Sequence, residues 1–306
     1  MLHFIVNPAA STGNSLRKWQ LIEDELKRRG TVYRARLTEG ARDAERLADR
    51  ITSENRGKDI TLVVLRGDGT VSEVLTGIRD YSGVTLGYVP AGSGGDLART
   101  LGLSKSPLKA LDTILRRESF IEMDVGRIET ENTIRNFAVS AGMGFDAAVC
   151  HEALHSSLKN KLNRIKLGKL TYGLIALKQL AKLKPSDAEI ILEDEKKLSL
   201  KKLIFAAAMN GQYEGGGFRF SPEAENTDGY LNVCAAESVS KPVILLLLPL
   251  ALWGKHTGFK CIKSLRAKKI RIVTEFPCAV HADGESCGIS RDITVNLEPE
   301  KIRFIV

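Results

Sequence analysis

Two glycine-punctuated turns in the amino-terminal third hold the residues best suited to chemistry. The first reads Leu65-Arg66-Gly67-Asp68-Gly69-Thr70 and the second Pro90-Ala91-Gly92-Ser93-Gly94-Gly95-Asp96. Each follows a β-rich run and precedes a helical pattern, which is where an open parallel sheet places its ligands. Glycine has no Cβ, so backbone amides can approach phosphate oxygens closely, and the following helix directs its positive end at the same anion. A carboxylate lodged in such a turn, Asp68, offers a hard oxygen ligand for the Mg2+ that accompanies nucleotide phosphates. A single Gly-x-Gly also suits an ordinary βα turn, but two in register favour phosphate binding.

Other chemistry-bearing residues carry less. His151-Glu152-Ala153-Leu154-His155 has the spacing that puts two imidazoles on one helix face for zinc, with no downstream third ligand at a familiar distance. A zinc hydrolase is therefore a formal rival, against a polar helix face. Cys278, His281 and Cys287 lack paired zinc-site spacing. Arg66-Gly67-Asp68 spells an adhesion tripeptide, but in a position between a buried strand and a helix.

The elements that must position these turns alternate through the first 120 or so residues. Strands are expected over Leu2–Val6, Val32–Leu37, Ile60–Leu65 and Val84–Val89, with helices over Ser15–Arg29, Ala41–Ser53, Val71–Ile78, near Asp96–Leu101 and over Pro107–Arg116. Such βαβα order implies a doubly wound, mainly parallel sheet covered by helices on both faces. Beyond Ile121 period-2 runs dominate, among them 122–128, 134–139, 188–193, 203–209, 230–235 and 269–274, and imply an antiparallel sheet. A helical stretch from about Asp146 to Lys182 and an apolar segment over Pro242–Gly254 interrupt it. The expected division is 1–121, an α/β nucleotide-binding domain, and 122–306, a mainly antiparallel domain. The last strand is a candidate to return to the first domain, and a cleft is expected where the halves pack.

Bulk properties narrow the partners. With 306 residues and 43% hydrophobic content the chain can bury a full core. Its 45 Lys and Arg against 37 Asp and Glu give a net charge of +8, which suits a nucleotide or an acidic bilayer. Aromatics make up only 6%, and no basic stretch interleaves with them, so nucleic acid is not an expected partner. Five cysteines without a CxxC pair fit a reducing compartment, and the amino terminus starts as a strand without a leader pattern, so a cytoplasmic location is expected. The apolar run Val243–Trp253 contains Pro249 and is too short to span a bilayer. With the basic residues that follow it (Lys255, His256, Lys260, Lys263, Arg266, Lys268 and Lys269), it could instead meet an anionic membrane surface peripherally, at the inner face. Core packing is the competing use of its apolar part, and a homodimer is left open.

Six segments in order then carry a family resemblance: Phe4-Ile5-Val6-Asn7-Pro8-Ala9, Gly67-Asp68-Gly69-Thr70-Val71-Ser72-Glu73-Val74, Pro90 to Arg99, Gly215-Gly216-Gly217-Phe218, Asp228-Gly229-Tyr230-Leu231 and Asp283-Gly284-Glu285. Together they resemble the motifs of the diacylglycerol kinase catalytic-domain family, which is related to sphingosine kinases and NAD kinases. The resemblance implies a nucleotide domain and a β-sandwich domain. It also implies an ATP-dependent lipid kinase that moves the γ-phosphate to the hydroxyl of diacylglycerol or a related lipid alcohol, giving phosphatidic acid or an analogue. By the same resemblance Asn7, Gly67, Gly69, Thr70, Gly92, Ser93 and Gly94 would hold ATP. Asp68 would sit at the phosphates and Mg2+, and Glu285 would be the general base. Asp283-Gly284-Glu285 on its own also reads as a solvated turn between strands. Glu225, Asp228 and the Tyr230 backbone resemble a second, structural Mg2+ site, with Thr227 where an acid is frequent; a hairpin turn at Asp228-Gly229 is the alternative. Arg66 stands for a common glycine and Gly95 for a common asparagine, which raises a catalytically weak, nucleotide-binding regulatory module as the second reading.

Overall fold

The computed structural model describes residues 1–8, 14–92, 95–155 and 168–306. Contacts divide the chain into one unit of Met1–Val125 with Glu298–Val306 and another of Gly126–Leu297.

In the first unit, β1 (Leu2–Val6), β2 (Tyr33–Leu37), β3 (Ile60–Arg66), β4 (Val84–Pro90), β5 (Phe120–Met123) and β15 (Ile302–Ile305) form a sheet ordered β2-β1-β3-β4-β15-β5. Every pairing is parallel except β15 with β5. Strands β1 and β3 read as near-continuous aliphatic runs because both faces are covered. Alternate residues Leu2, Phe4, Val6, Val63 and Leu65 pack with Trp19, Ile22 and Leu26 of α1 (Asn14–Arg28) and with Ala110, Leu111 and Ile114 of α5 (Pro107–Arg116). On α2 (Asp43–Glu54) the inward row is Ala44, Leu47, Ala48 and Ile51. It packs on α3 (Asp68–Gly77) so closely that a Cβ on Gly77 would lie 2.1 Å from the Glu45 carbonyl oxygen. Helix α3 thus begins at Asp68, three residues before the Val71 expected from periodicity, because Gly67 adopts the extended N-cap conformation and an acid suits a helix's first turn. A short α4 (Asp96–Thr100) follows the second glycine turn.

The second unit is antiparallel. Its strands are β6 (Gly126–Glu129), β7 (Ile134–Phe137), β8 (Ser140–Gly144), β9 (Ser186–Leu192), β10 (Lys197–Met209), β11 (Leu231–Glu237), β12 (Ile262–Ala267), β13 (Lys269–Ala282) and β14 (Glu285–Leu297). Both β10 and β13 are long, pair with β9 through one half and with β8 through the other, and carry register shifts between. Long strands that bend at irregularities and pass from layer to layer make the sandwich. Helices α6 (Phe145–His155), α7 (Gly168–Lys182) and α8 (Lys241–Ala251) accompany it. The doubly wound α/β unit and the antiparallel β-sandwich are the fold class expected.

Two expected runs split. Run 122–128 breaks at Asp124-Val125, where Asp124 pairs with Lys301 and the Val125 carbonyl accepts from Glu298 N–H. Run 134–139 breaks at Ala138-Val139, whose amides donate to the Asp283 carboxylate instead of to a ladder.

Candidate functional site

In the first unit the two glycine turns touch. The Arg66 carbonyl accepts from the amides of Ala91 at 2.7 Å and Gly92 at 3.0 Å, and lies 3.2 Å from the Tyr88 hydroxyl oxygen. A Cβ on Gly92 would stand 2.7 Å from the Gly67 Cα, closer than any side chain tolerates, so the contact requires glycine there. Asn7 and Thr70 are buried beside the first turn, with Asn7 Nδ2 donating to Thr70 Oγ1 at 3.4 Å. Lys18 reaches the Pro90 carbonyl at 3.0 Å, and burial lowers its pKa. Asn7, Gly67, Asp68, Thr70 and Gly92 are therefore drawn together, and Gly69 lies in the first turn of α3 with them. Ser93 and Gly94 lie outside the described residues.

Asp68 is the charged centre of this group. Its Oδ2 accepts from the Asp96 amide at 2.8 Å and its Oδ1 from the Tyr88 hydroxyl at 3.1 Å, which fixes the direction of the carboxylate. Burial, and then the neighbouring Asp96 carboxylate, push its pKa up to about 6, although the amides of Asp96 and Leu97 and the Tyr88 hydroxyl favour the charged form. A half-buried carboxylate whose charge is costly is a ready ligand for a cation, which removes that cost. Asp96, Tyr88 and Lys18 had no assigned part in the sequence reading. Asp96 is the residue that closes the second turn, whereas nothing in the spacing marks Tyr88 or Lys18.

These residues fit a magnesium nucleotide. The closeness of Gly92 to Gly67 keeps side chains out of the turn, and Gly67 opens α3 with amides that have no earlier helical partner.

In the second unit Asp283-Gly284 is a two-residue hairpin turn joining β13 to β14, with φ of 48° and 77° and the pair Ala282–Glu285 closing it. The turn is fastened rather than solvated. The Asp283 carboxylate accepts from the amides of Ala138 at 2.8 Å, Val139 at 2.9 Å and Ser140 at 3.0 Å, and Asp283 N–H returns a bond to the Ser140 carbonyl at 2.8 Å. This holds Glu285, half-buried, at the head of β14. Two residues before the turn, His281 is fully buried, with Nε2 3.1 Å from Asp146 Oδ2 and 3.3 Å from Glu214 Oε1. Burial works against its charge, but Glu214 and Asp146 prevail and raise its pKa to about 9. The Gly284 amide donates to Nδ1 at 3.4 Å. Among the described residues Asp146, Glu214 and His281 are the group spaced like metal ligands, with one ligand atom of each within 4.8 Å of the others.

Asp228 gives one oxygen to the Tyr230 amide at 2.9 Å and the other to Arg266 at 2.7 Å, while Glu225 is exposed. His151 Nε2 lies 2.8 Å from the Val280 carbonyl oxygen and Glu152 pairs with Lys178, so neither is presented to zinc; the His155 side chain lies outside the described residues. The five cysteines are free. No helix among the described residues is long and apolar enough to cross a membrane.

Comparisons with known proteins bear on the family and the fold. Residues 1–128 match the diacylglycerol kinase catalytic domain, and residues 139–306 match the YegS C-terminal NAD kinase beta sandwich-like domain. The chain is 32% identical over 289 residues to the "Putative lipid kinase YtlR" of Bacillus subtilis (strain 168), covering 93% of each chain. It is 29% identical over 297 residues to a diacylglycerol kinase of Mycobacterium tuberculosis (strain CDC 1551 / Oshkosh), covering 95% of this chain and 90% of that one. Its fold matches a solved structure titled "A putative diacylglycerol kinase from Bacillus anthracis str. Sterne" with a TM-score of 0.76 at 23% identity, covering 99% and 96% of the two chains. With both halves matched and the motifs in order, the chain belongs to the diacylglycerol kinase catalytic-domain family of lipid kinases.

Proposed function

We propose that this lipid kinase transfers the γ-phosphate of ATP to the hydroxyl of diacylglycerol or a related lipid alcohol, giving phosphatidic acid or its analogue. The observation that carries the reading is the contact between the two glycine turns around a carboxylate whose direction is fixed by Tyr88 and Asp96. Asn7, Gly67, Gly69, Thr70 and Gly92, with Ser93 and Gly94 of the same turn, hold the nucleotide. Asp68 takes the magnesium, which when bound neutralises phosphate charge during transfer. Glu285, whose carboxylate makes no hydrogen bond or ion pair among the described residues, accepts the proton of the lipid hydroxyl. A second Mg2+ at Glu225, Asp228 and Tyr230 requires Arg266 to leave Asp228. The lipid acceptor places the working enzyme at an anionic membrane surface on the inner face.

Gly95 bears on the rival regulatory module. It sits in the left-handed region at φ 67° as the N-cap of α4, a conformation that asparagine also tolerates, so its presence in place of asparagine preserves the backbone of the turn. Radiolabelled phosphate transfer across a panel of lipid alcohols tests the proposal. Asp68→Ala and Glu285→Gln should each lower kcat by roughly 10²-fold or more. Near-full activity in both variants overturns the assigned roles, and ATP binding without transfer to any lipid supports the regulatory module.

A further inference from the structure

Helix α8 has the sequence KPVILLLLPLA and follows a proline-started first turn. Its inward face is apolar, with Ile244 and Leu247 buried in a cluster with Phe205, Met209 and Cys234, and with Ala251 buried on the same face. A surface helix normally turns polar residues to water on the opposite face. Here that face is Pro242, Leu245, Leu246, Pro249, Leu252 and Trp253, all exposed. At 100° per residue the four on the helix fall within roughly 100° of its circumference, opposite the buried row, and Leu252 and Trp253 follow in the turn after its last residue. Leu246 is 70% and Trp253 65% exposed. Phe259, a short turn later, is exposed as well.

From this we infer that the outward face of α8 with Trp253 and Phe259 is the surface by which the protein docks on a lipid bilayer, lying in the plane of the interface. Charge selects this occupant. Lys255 and Lys260 flank the aromatic end, both exposed and without an ion pair among the described residues. An apolar helix face bounded by an indole and lysines matches the layering of an anionic bilayer, with acyl chains beneath and phosphates at the rim. A second copy of the chain fits less well. The strip is one helix row of six side chains, far short of the roughly 20–30 residues per side in a standard interface. The inference rests on the lipid-kinase reading for its purpose, since a kinase acting on a lipid must reach the bilayer, but the measurement that tests it reads no activity.

The chain has two tryptophans, and Trp19 is buried at 5% exposure, so a change in emission on adding vesicles reports on Trp253. Vesicles of phosphatidylcholine with phosphatidylglycerol should shift the emission to the blue, and lipids brominated on the acyl chains should quench it. Pure phosphatidylcholine vesicles should do so more weakly. Leu246→Glu should weaken binding roughly tenfold or more, since it places a charge in the buried face. Val32→Glu, at another exposed apolar position, should leave binding unchanged. A Trp253 that stays water-exposed and unquenched with anionic vesicles overturns the inference. So does a blue shift that needs no lipid and grows with protein concentration, which would assign the face to a second copy. The two readings fail separately. If Asp68→Ala docks like the unaltered chain while no lipid alcohol is phosphorylated by the latter, the kinase reading falls alone. If detergent-dispersed lipid is phosphorylated while Trp253 stays unquenched, the docking face falls alone.

Discussion

Asp68 is held by the fold in a form the fold itself disfavours. Burial and the adjacent Asp96 raise its pKa to about 6, above the value near 3.9 of an unfolded carboxyl. The unfolded chain therefore loses this proton first as pH rises, and stability contributed by the protonated acid is present below about pH 4 and lost as pH passes through about 6. Replacing the acid with its amide should remove this penalty. Asp68→Asn keeps an oxygen for the Asp96 amide and a donor for the Tyr88 hydroxyl, and should melt higher than the unaltered protein above pH 6, with no advantage below pH 4. Binding runs the other way, because the proton competes with the cation. Magnesium-nucleotide affinity of the unaltered protein should fall as pH drops below about 6, and Asp68→Asn should bind weakly at every pH. Thermal melts and calorimetric titration across pH 4–8 check both halves, and a variant less stable than the unaltered protein at pH 8 contradicts the account.

At the scale of elements, the β13–β14 hairpin shows how a turn becomes a positioning device. Asp283 gathers three successive amides at the junction of β7 and β8, so the tip bearing Glu285 is tied to a neighbouring strand pair as well as to its own. Asp283→Ala leaves those amides without their acceptor, at a cost of about 1–3 kcal/mol for each that water cannot reach. Hydrogen exchange at Ala138, Val139 and Ser140 should accelerate, and on the proposed site assignment kcat should fall while the KM for ATP stays within about twofold. Unchanged exchange at those amides contradicts the fastening role. The sequence made the Asp-Gly turn legible, because only a few residues tolerate positive φ. It could not show the fastening, since the partners lie more than 140 positions away and contribute backbone, which has no sequence signature. The same limit applies to Asp68. Its carboxylate and its glycine neighbours were visible as residue types, whereas Tyr88 orients it through a hydroxyl from the end of another strand. The outward face of α8 was half legible: hydrophobicity announced the segment, but only packing decides which side of an apolar helix meets the core.

Across the whole molecule the chain's two ends meet in one unit. Two strands, β3 and β4, stand between the amino-terminal β1 and β15, the last strand, which fills the gap between β4 and β5 with Ile302 and Phe304 fully buried. β15 pairs with β4 in parallel, as the crossover from a distant part of the chain allows, and Lys301 beside it meets Asp124. The sheet that carries the two glycine turns is therefore incomplete until everything between has been made, although no residue of β15 belongs to those turns. Removing Glu298–Val306 would leave β4 and β5 with exposed edges and uncover the apolar faces that β15 fills. The truncated chain should lose magnesium-nucleotide binding and yield to protease across Met1–Val125, while Gly126–Leu297 retains its protected amides. Limited proteolysis followed by mass mapping reads the outcome directly. Survival of a protease-resistant, nucleotide-binding amino-terminal fragment without β15 would show that the sheet closes on its own and that the returning strand is dispensable.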